Sequence, residues 1–162
     1  CAGLVARGWR LLSDELDLIR PERGDILPLP RPISLKNASL PAIRTAVPDG
    51  RFGPCCHDTL KGTVAHLSPP KASVARAGEP ARVAWVVFPR FRSQGAGAEP
   101  AVIPAAEVLQ GLIDSAFNYP VQGPEGFQAL ADLADHCPGY RLEHGDLEQA
   151  CQDIASLTGA QR

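Results

Sequence analysis

The order of the hydrophobic patterns along this chain most constrains the fold it can adopt. Short apolar runs of the strand type come first, between Trp9 and Phe88. The most apolar of them, Val83–Phe88, indicates a buried strand. Apolar residues at helical spacing dominate the last third, as in Ala105–Phe117. Strands followed by helices predict an α/β or α+β fold with a mixed β-sheet and C-terminal helices.

The predicted elements are short, and loops rich in proline and glycine separate them. We predict strands at Trp9–Leu12, Leu16–Ile19, Asp25–Leu27, Ile33–Lys36, Leu60–Leu67, Ala81–Phe88 and, as an edge strand, Tyr140–Glu143. We predict helices at Cys1–Arg7 with Gly8 as its cap, around Pro41 with Asn37 or Ser39 as its cap, at Ala105–Phe117, at Glu125–Ala134, and at Leu147–Leu157 between Asp146 and Gly159. The predicted loops are Arg20–Pro32 around its short strand, Pro48–Asp58, Pro69–Pro80 and Ser93–Pro100.

Composition is typical of a globular protein and narrows the classes of partner. The chain has 162 residues, of which 44% are hydrophobic and 21% charged, enough for a single domain with its own core. The formal net charge of −2 predicts no nucleic-acid partner. No run of about 18 apolar residues occurs, so we expect no membrane span. Five cysteines without CxxC spacing predict free thiols in a reducing compartment, the cytoplasm.

Two adjacent carboxylates, Asp14 and Glu15, are the sharpest chemical feature of the sequence. They follow the apolar run Trp9–Leu12, and side chains at the end of a strand reach the crevice where α/β sheets bind ligands. Carboxylate oxygens suit Mg²⁺, and one carboxylate can orient or deprotonate an attacking hydroxyl. The alternative is an ordinary solvated turn, because Asp-Glu pairs are common on protein surfaces.

Two histidines are weaker candidates. His57 lies beside Cys55 and Cys56, but ligands this close in sequence cannot close a tetrahedral metal site from one segment. A flexible loop is the better interpretation there. His66 lies on a predicted strand, where a half-buried histidine with satisfied hydrogen bonds is more common than a catalytic base.

Arg90 and Arg92 flank Phe91 at the end of the strongest strand run. Alternation along a strand places both arginines on one face. They could bind a phosphate or an acidic partner, or they could solvate the end of the strand, and the sequence leaves both interpretations open.

A family resemblance adds to this interpretation. The stretch AGLVARGWRLLSDELDLI resembles the segment that follows the phosphate-binding loop in HPr kinase/phosphorylase and its relatives. The similarity is closest to HPr-related kinases. Further segments resemble that subgroup in the same order, namely PLPRPISLKNASLPAI, GTVAHLSPP, WVVFPRF, SAFNYPVQGPEGFQALADL and CPGYRLEHGDLEQA. The resemblance therefore covers almost the whole chain.

The resemblance implies a P-loop fold shared with phosphoenolpyruvate carboxykinase. It also implies ATP, Mg²⁺ and phosphoryl transfer to a hydroxyl of a protein serine or of a small molecule. Asp14 and Glu15 match the family's acidic pair, as metal ligands and as base or orienting group, although the family usually has two Asp there. Lys36 falls near a family arginine that contacts phosphate; a lysine supplies the charge without the bidentate fork, and a surface lysine is the alternative. The rings that HPr kinases form leave a homo-oligomer open.

The sequence also departs from the family. The pattern GxxxxGK[ST], whose amides and lysine hold nucleotide phosphates, is not present, and neither is any methionine. We therefore expect an N-terminally truncated kinase domain that lacks the phosphate loop, is inactive alone and binds ATP weakly or not at all. Two alternatives stay open, namely a non-catalytic binding or regulatory module that keeps the fold, and a carboxykinase-like enzyme that acts on a metabolite.

Overall fold

The computed structural model describes residues 1–92 and 99–159, and the chain divides into two compact units. The first unit comprises Cys1–Leu18 and Leu27–Pro80, and the second comprises Ile19–Ile26 and Ala81–Arg162. Helices and strands occur in both units, so the predicted mixture of α and β structure is confirmed. Within the described residues, no helix is both long enough and apolar enough to cross a membrane.

The helices and strands have the following bounds. The strands are β1 Leu18–Arg20, β2 Asp25–Leu27, β3 Ile33–Lys36, β4 Cys56–Thr59, β5 Gly62–Leu67, β6 Ala81–Arg82, β7 Val86–Phe91, β8 Ala101–Ile103 and β9 Gly139–His144. The helices are α1 Ala2–Val5, α2 Ser39–Ala46, α3 Lys71–Ala75, α4 Ala105–Ser115, α5 Tyr119–His136 and α6 Leu147–Ser156. The strands form three small sheets, in the orders β1-β2-β6, β3-β5-β4 and β7-β9-β8.

Antiparallel pairing of β3, β5 and β4 builds the sheet of the first unit, with β5 in the middle. Ile33 pairs with Leu67, and both side chains are buried. The next pair, Ser34 with His66, lies on the opposite face because side chains alternate along a strand. The strand predictions are confirmed here: β3 has its predicted bounds, and β5 begins at Gly62, slightly later than predicted.

The first helix ends as its sequence predicts. The Gly8 amide donates to the Val5 carbonyl (3.0 Å), and the Trp9 amide donates to the Leu4 carbonyl (3.2 Å). Gly8 has a φ of +86°, which glycine adopts without steric cost. This pair of bonds is a Schellman motif, so the prediction of Gly8 as the cap is confirmed.

The predicted strand at Trp9–Leu12 is wrong, because no described strand pairs with it. Its backbone is held by single hydrogen bonds instead. The buried Leu11 amide donates to the hydroxyl of Ser73 (3.0 Å), and the Leu12 carbonyl accepts from the Leu29 amide (2.8 Å). Ser73 belongs to α3, a short helix inside the segment that we predicted as the loop Pro69–Pro80.

The predicted cap of α2 is also wrong. Asn37 has a φ of +47°, and its side-chain oxygen accepts from the Thr63 amide (3.0 Å) while its nitrogen donates to the Lys61 carbonyl (3.1 Å). The Ser39 hydroxyl donates to the Lys36 carbonyl and accepts from the Lys36 amide. Neither side chain caps the helix, because both are used to close the ends of β3 and β5.

The second unit contains the mixed sheet that the sequence predicts. Strand β9 is parallel to β7 and antiparallel to β8. It therefore lies between two neighbours, and the prediction of an edge strand at Tyr140–Glu143 is wrong. Leu142 on β9 is fully buried. Gly139 begins β9 against α4, where an added Cβ would lie 2.1 Å from Cγ2 of Val108, so only glycine fits.

Other boundaries in the chain differ from prediction. The predicted strand Ala81–Phe88 is divided into β6, which pairs with β2, and β7, which pairs with β9. Strand β4 takes up the end of the predicted loop Pro48–Asp58. The predicted loop Ser93–Pro100 lies mostly outside the described residues, and β8 follows it.

The C-terminal helices agree more closely with prediction. Helix α5 begins at Tyr119, earlier than predicted, and contains a kink at Gly123, whose φ is +56°. The Asp146 carboxylate accepts from the Gln149 amide (2.9 Å), so the predicted N-cap of α6 is confirmed.

Candidate functional site

The acidic pair lies in a turn between α1 and β1, and backbone hydrogen bonds hold it there. The Ser13 hydroxyl accepts from the Leu16 amide (3.1 Å), which closes the turn around both carboxylates. Oδ2 of Asp14 accepts from the Ser34 amide (2.9 Å). The carboxylate of Asp14 is therefore oriented by β3, and its second oxygen is left for another partner.

Both carboxylates line a cleft within the first unit. The cleft has a volume of about 430 Å³, and its lining includes two nitrogen-bearing side chains, Arg31 and His66. The remaining lining residues are Ser13, Leu16, Pro32, Ser34, Gly53 and Pro54. The predicted carboxylate pair thus belongs to a ligand-sized concavity, although the predicted strand in front of it does not form.

Two hydrogen bonds fix the segment that carries Arg31. The Leu29 amide donates to the Leu12 carbonyl (2.8 Å) on one side of it, and the Ser34 amide donates to Asp14 on the other. The Arg31 amide also donates to the Leu29 carbonyl (2.7 Å), a three-residue turn around a proline with a fixed φ. The backbone on both sides of Arg31 is therefore tied to the segment that carries the acidic pair.

His66 enters the cleft from the neighbouring strand. It pairs with Ser34 across β3 and β5, and its carbonyl accepts from the Gly53 amide (2.8 Å). Its side chain is exposed, so the prediction of a half-buried histidine is wrong. The physical reason is the alternation of β5, which turns Ala65 and Leu67 into the core and His66 away from it.

The site can supply two oxygen-bearing side chains to a metal. Across residues 1–92 and 99–159, no three or more His, Cys, Asp or Glu side chains come together in a way that could hold a metal ion. Mg²⁺ takes one or two carboxylates from a protein and completes its shell with water and phosphate oxygens. Asp14 and Glu15 are two carboxylates of one cleft, so they are the residues that could hold such an ion.

Among the described residues, His57 is not in a group of three or more His, Cys, Asp or Glu side chains that could hold a metal ion. It lies on β4, not in the flexible loop that we predicted. Its Nδ1 lies 3.2 Å from the hydroxyl of Thr63, and the neighbouring Cys55 accepts from the Arg44 guanidinium (3.3 Å).

The other predicted phosphate-binding residues lie elsewhere. Lys36 ends β3 and is not among the residues that line the cleft. Arg90 and Arg92 belong to the second unit, at the end of β7. The guanidinium of Arg92 donates to Glu143 (2.7 Å), so it already has an anionic partner within its own unit.

The pair of Arg92 and Glu143 changes the ionisation of both groups. The hydrogen bond from Arg92, helped by the charges of Arg90 and Arg141, lowers the pKa of Glu143. The same hydrogen bond raises the pKa of Arg92. Both side chains are about half exposed, so solvent screens their contribution to the free energy of unfolding.

We expect Arg92→Ala to raise the pKa of Glu143 toward its ordinary value, because the hydrogen bond is the main cause of the lowering. A lowered folded-state pKa stabilises the fold above the ordinary pKa, and that contribution is lost as pH falls through the folded-state pKa. Titration of the Glu143 carboxyl carbon by NMR measures the change. Arg82→Ala, an exposed site on β6, is the control; an unchanged Glu143 titration in Arg92→Ala would contradict the prediction.

Arg31 is the cleft residue that sequence reasoning missed. A signal for it exists, since a charged residue held between two prolines, Pro30 and Pro32, has a restricted backbone. Its place beside the acidic pair depends on a hydrogen bond between distant segments, which no local pattern shows.

The family resemblance rests on motifs spread along the sequence, from AGLVARG to CPGYRLEHGDLEQA. What the chain does must be inferred from the cleft itself. Comparison of the chain with family models, with curated proteins and with solved structures gave no match in any of the three.

Proposed function

We propose that this chain forms the metal-binding part of an ATP-dependent kinase that transfers phosphate to a hydroxyl of a protein serine or of a small molecule. One observation carries the proposal: Asp14 and Glu15 line the same cleft, and Asp14 is oriented there by the Ser34 amide. Phosphoryl transfer depends on positioning and on charge neutralisation more than on covalent chemistry. A carboxylate pair in a cleft, with Asp14 fixed by a backbone amide, suits that requirement.

The two carboxylates would hold Mg²⁺ and position the acceptor hydroxyl. The metal supplies charge neutralisation at the phosphate oxygens. Asp14 keeps one carboxylate oxygen bound to the Ser34 amide, which limits its freedom to reorient. Glu15 is exposed, and its longer side chain can reach a ligand directly or through water.

The proposal extends to fold and compartment. The resemblance supports a fold like that of HPr kinase and phosphoenolpyruvate carboxykinase, and the mixed sheet of β7, β9 and β8 is compatible with it. The five cysteines of the sequence show no CxxC spacing. That pattern supports a reducing compartment, the cytoplasm.

The metal site is tested with Mn²⁺, a paramagnetic substitute for Mg²⁺, on this 162-residue chain. Amide signals of Asp14, Glu15 and Ser34 are expected to broaden selectively. The double variant Asp14→Asn/Glu15→Gln should abolish the selective broadening, and Asp49→Asn, an exposed carboxylate of the same unit, should keep it. Broadening that survives the double variant would remove the metal site from the proposal.

Phosphoryl transfer is tested on the longest gene product that contains this chain, with labelled ATP and Mg²⁺. Transfer to a serine peptide or to a small hydroxyl compound supports the kinase. Mn²⁺ binding at Asp14 and Glu15 without any ATP turnover would instead favour the non-catalytic module.

A further inference from the structure

We propose that Arg31, assisted by His66, is the oxyanion-binding side of the cleft and receives a phosphate group of the ligand whose metal the carboxylates hold. This inference rests on the proposed function for the identity of the anion. The binding site itself stands on the geometry of Arg31. A phosphate monoester or a nucleotide phosphate would present the same chemistry.

The cleft contains both acidic and basic residue types. Its lining includes Asp14, Glu15, Arg31 and His66. In the part of the chain that the structure describes, no ion pair links Arg31 to either carboxylate. The five N–H donors of the guanidinium are therefore not used by the carboxylates of the cleft, and Asp14 keeps the carboxylate oxygen that does not accept from the Ser34 amide. A ligand that carries both an oxyanion and a cation, such as a magnesium phosphate, would bind Arg31 through the oxyanion and the carboxylates through the cation.

The backbone around Arg31 is fixed before a ligand binds. The hydrogen bonds Leu29 to Leu12 and Ser34 to Asp14 bracket it, and prolines on both sides restrict its backbone. A backbone fixed before binding lowers the conformational entropy lost when the ligand arrives.

Arg31 and His66 both have N–H groups that can donate to an oxyanion. A guanidinium presents a planar fork of donors that matches two phosphate oxygens, which a lysine cannot do. His66 pairs across the sheet with Ser34, the same residue whose amide orients Asp14, and even a neutral imidazole has one N–H to donate. Lys36, for which the family resemblance implied a phosphate contact, does not line the cleft, whereas Arg31 does.

The experiment is a titration of this chain with inorganic phosphate, followed through the Nε–Hε signal of Arg31 and the ring signals of His66 by NMR. We expect a saturable shift of both signals. Arg31→Ala should weaken phosphate binding roughly 10- to 100-fold, the usual value for a charged hydrogen bond. Arg31→Lys should recover only part of that loss. The matched control is Arg51→Ala, an exposed arginine of the same unit, and it should bind phosphate like the parent chain.

The outcomes separate this inference from the proposed function. Linear, unsaturable shifts, or equal losses in Arg31→Ala and Arg51→Ala, overturn the anion site even if Mn²⁺ still binds at Asp14. A saturable Arg31 shift without Mn²⁺ binding keeps the anion site and removes the metal chemistry. Parallel titrations with ATP and with phosphoserine identify the source of the phosphate, because the true source should saturate Arg31 at a lower concentration than inorganic phosphate does.

Discussion

Asp14→Asn is expected to lower the rate of phosphoryl transfer about 10²- to 10⁴-fold, the range for loss of a positioned acid–base group. The asparagine side-chain oxygen can still accept from the Ser34 amide, as Oδ2 of Asp14 does (2.9 Å). The substitution therefore removes the negative charge with little change to the turn. The measurement is the initial rate of transfer from Mg-ATP by the longest gene product that contains this chain.

A matched pair of variants makes the test of Asp14 specific. Asp49→Asn removes an exposed carboxylate of the same unit that does not line the cleft, and its rate should stay within about twofold of the parent, since surface changes of this kind have small effects. The rate of Glu15→Gln should fall between the two, because no backbone amide of residues 1–92 or 99–159 donates to the Glu15 carboxylate. If Asp14→Asn keeps the parental rate, Asp14 is not part of the reacting centre.

Local sequence patterns predicted an element correctly where its residues alternate clearly between apolar and polar and its partner strand does the same. Strand β3 has its predicted bounds because Ile33 and Leu35 alternate with polar residues and pair with an equally clear strand. The cap at Asp146 was predictable because its carboxylate accepts from an amide only three residues away. The alternation of β3 and the contact of Asp146 with Gln149 can each be recognised within a single window of sequence.

Contacts between distant segments explain the failures. The run Trp9–Leu12 has strand character, but the Leu11 amide bonds the hydroxyl of Ser73, 62 residues away. Strand β9 looked like an edge because its second neighbour, β8, is only Ala101–Ile103. That short strand lies between prolines, and Val102 is 74% exposed; three apolar residues are too few to show an alternating pattern.

The candidate site shows the same division. Asp14 and Glu15 stand out because adjacent carboxylates follow an apolar run. Arg31 does not stand out in the sequence. Its segment is tied to the segment before the acidic pair by the Leu29 amide, which donates to the Leu12 carbonyl (2.8 Å). Residue type predicted that the two carboxylates matter, whereas the place of Arg31 in the same cleft follows from backbone connections between segments.

Leu142→Ala is expected to lower the free energy of unfolding by about 2 to 5 kcal/mol, the range for removal of a buried leucine side chain. Leu142 has a relative exposure of 0% and lies on β9, the middle strand of its sheet. Strands on both sides limit how far the backbone can collapse into the space that is left. A domain is commonly stable by only about 5 to 15 kcal/mol, so the loss is a large fraction of the total.

Urea unfolding of this chain measures the effect of Leu142→Ala. We expect the midpoint to fall while the slope with urea stays the same, because the change removes packing and not the cooperativity of the unit. The control is Val102→Ala on β8, whose side chain is 74% exposed and whose loss should change stability by no more than about 0.5 kcal/mol. Equal midpoints for the two variants would show that β9 is not the centre of a packed sheet. A lower slope for Leu142→Ala alone would show that the second unit had lost its cooperative unfolding, because the exposed surface and the slope change together.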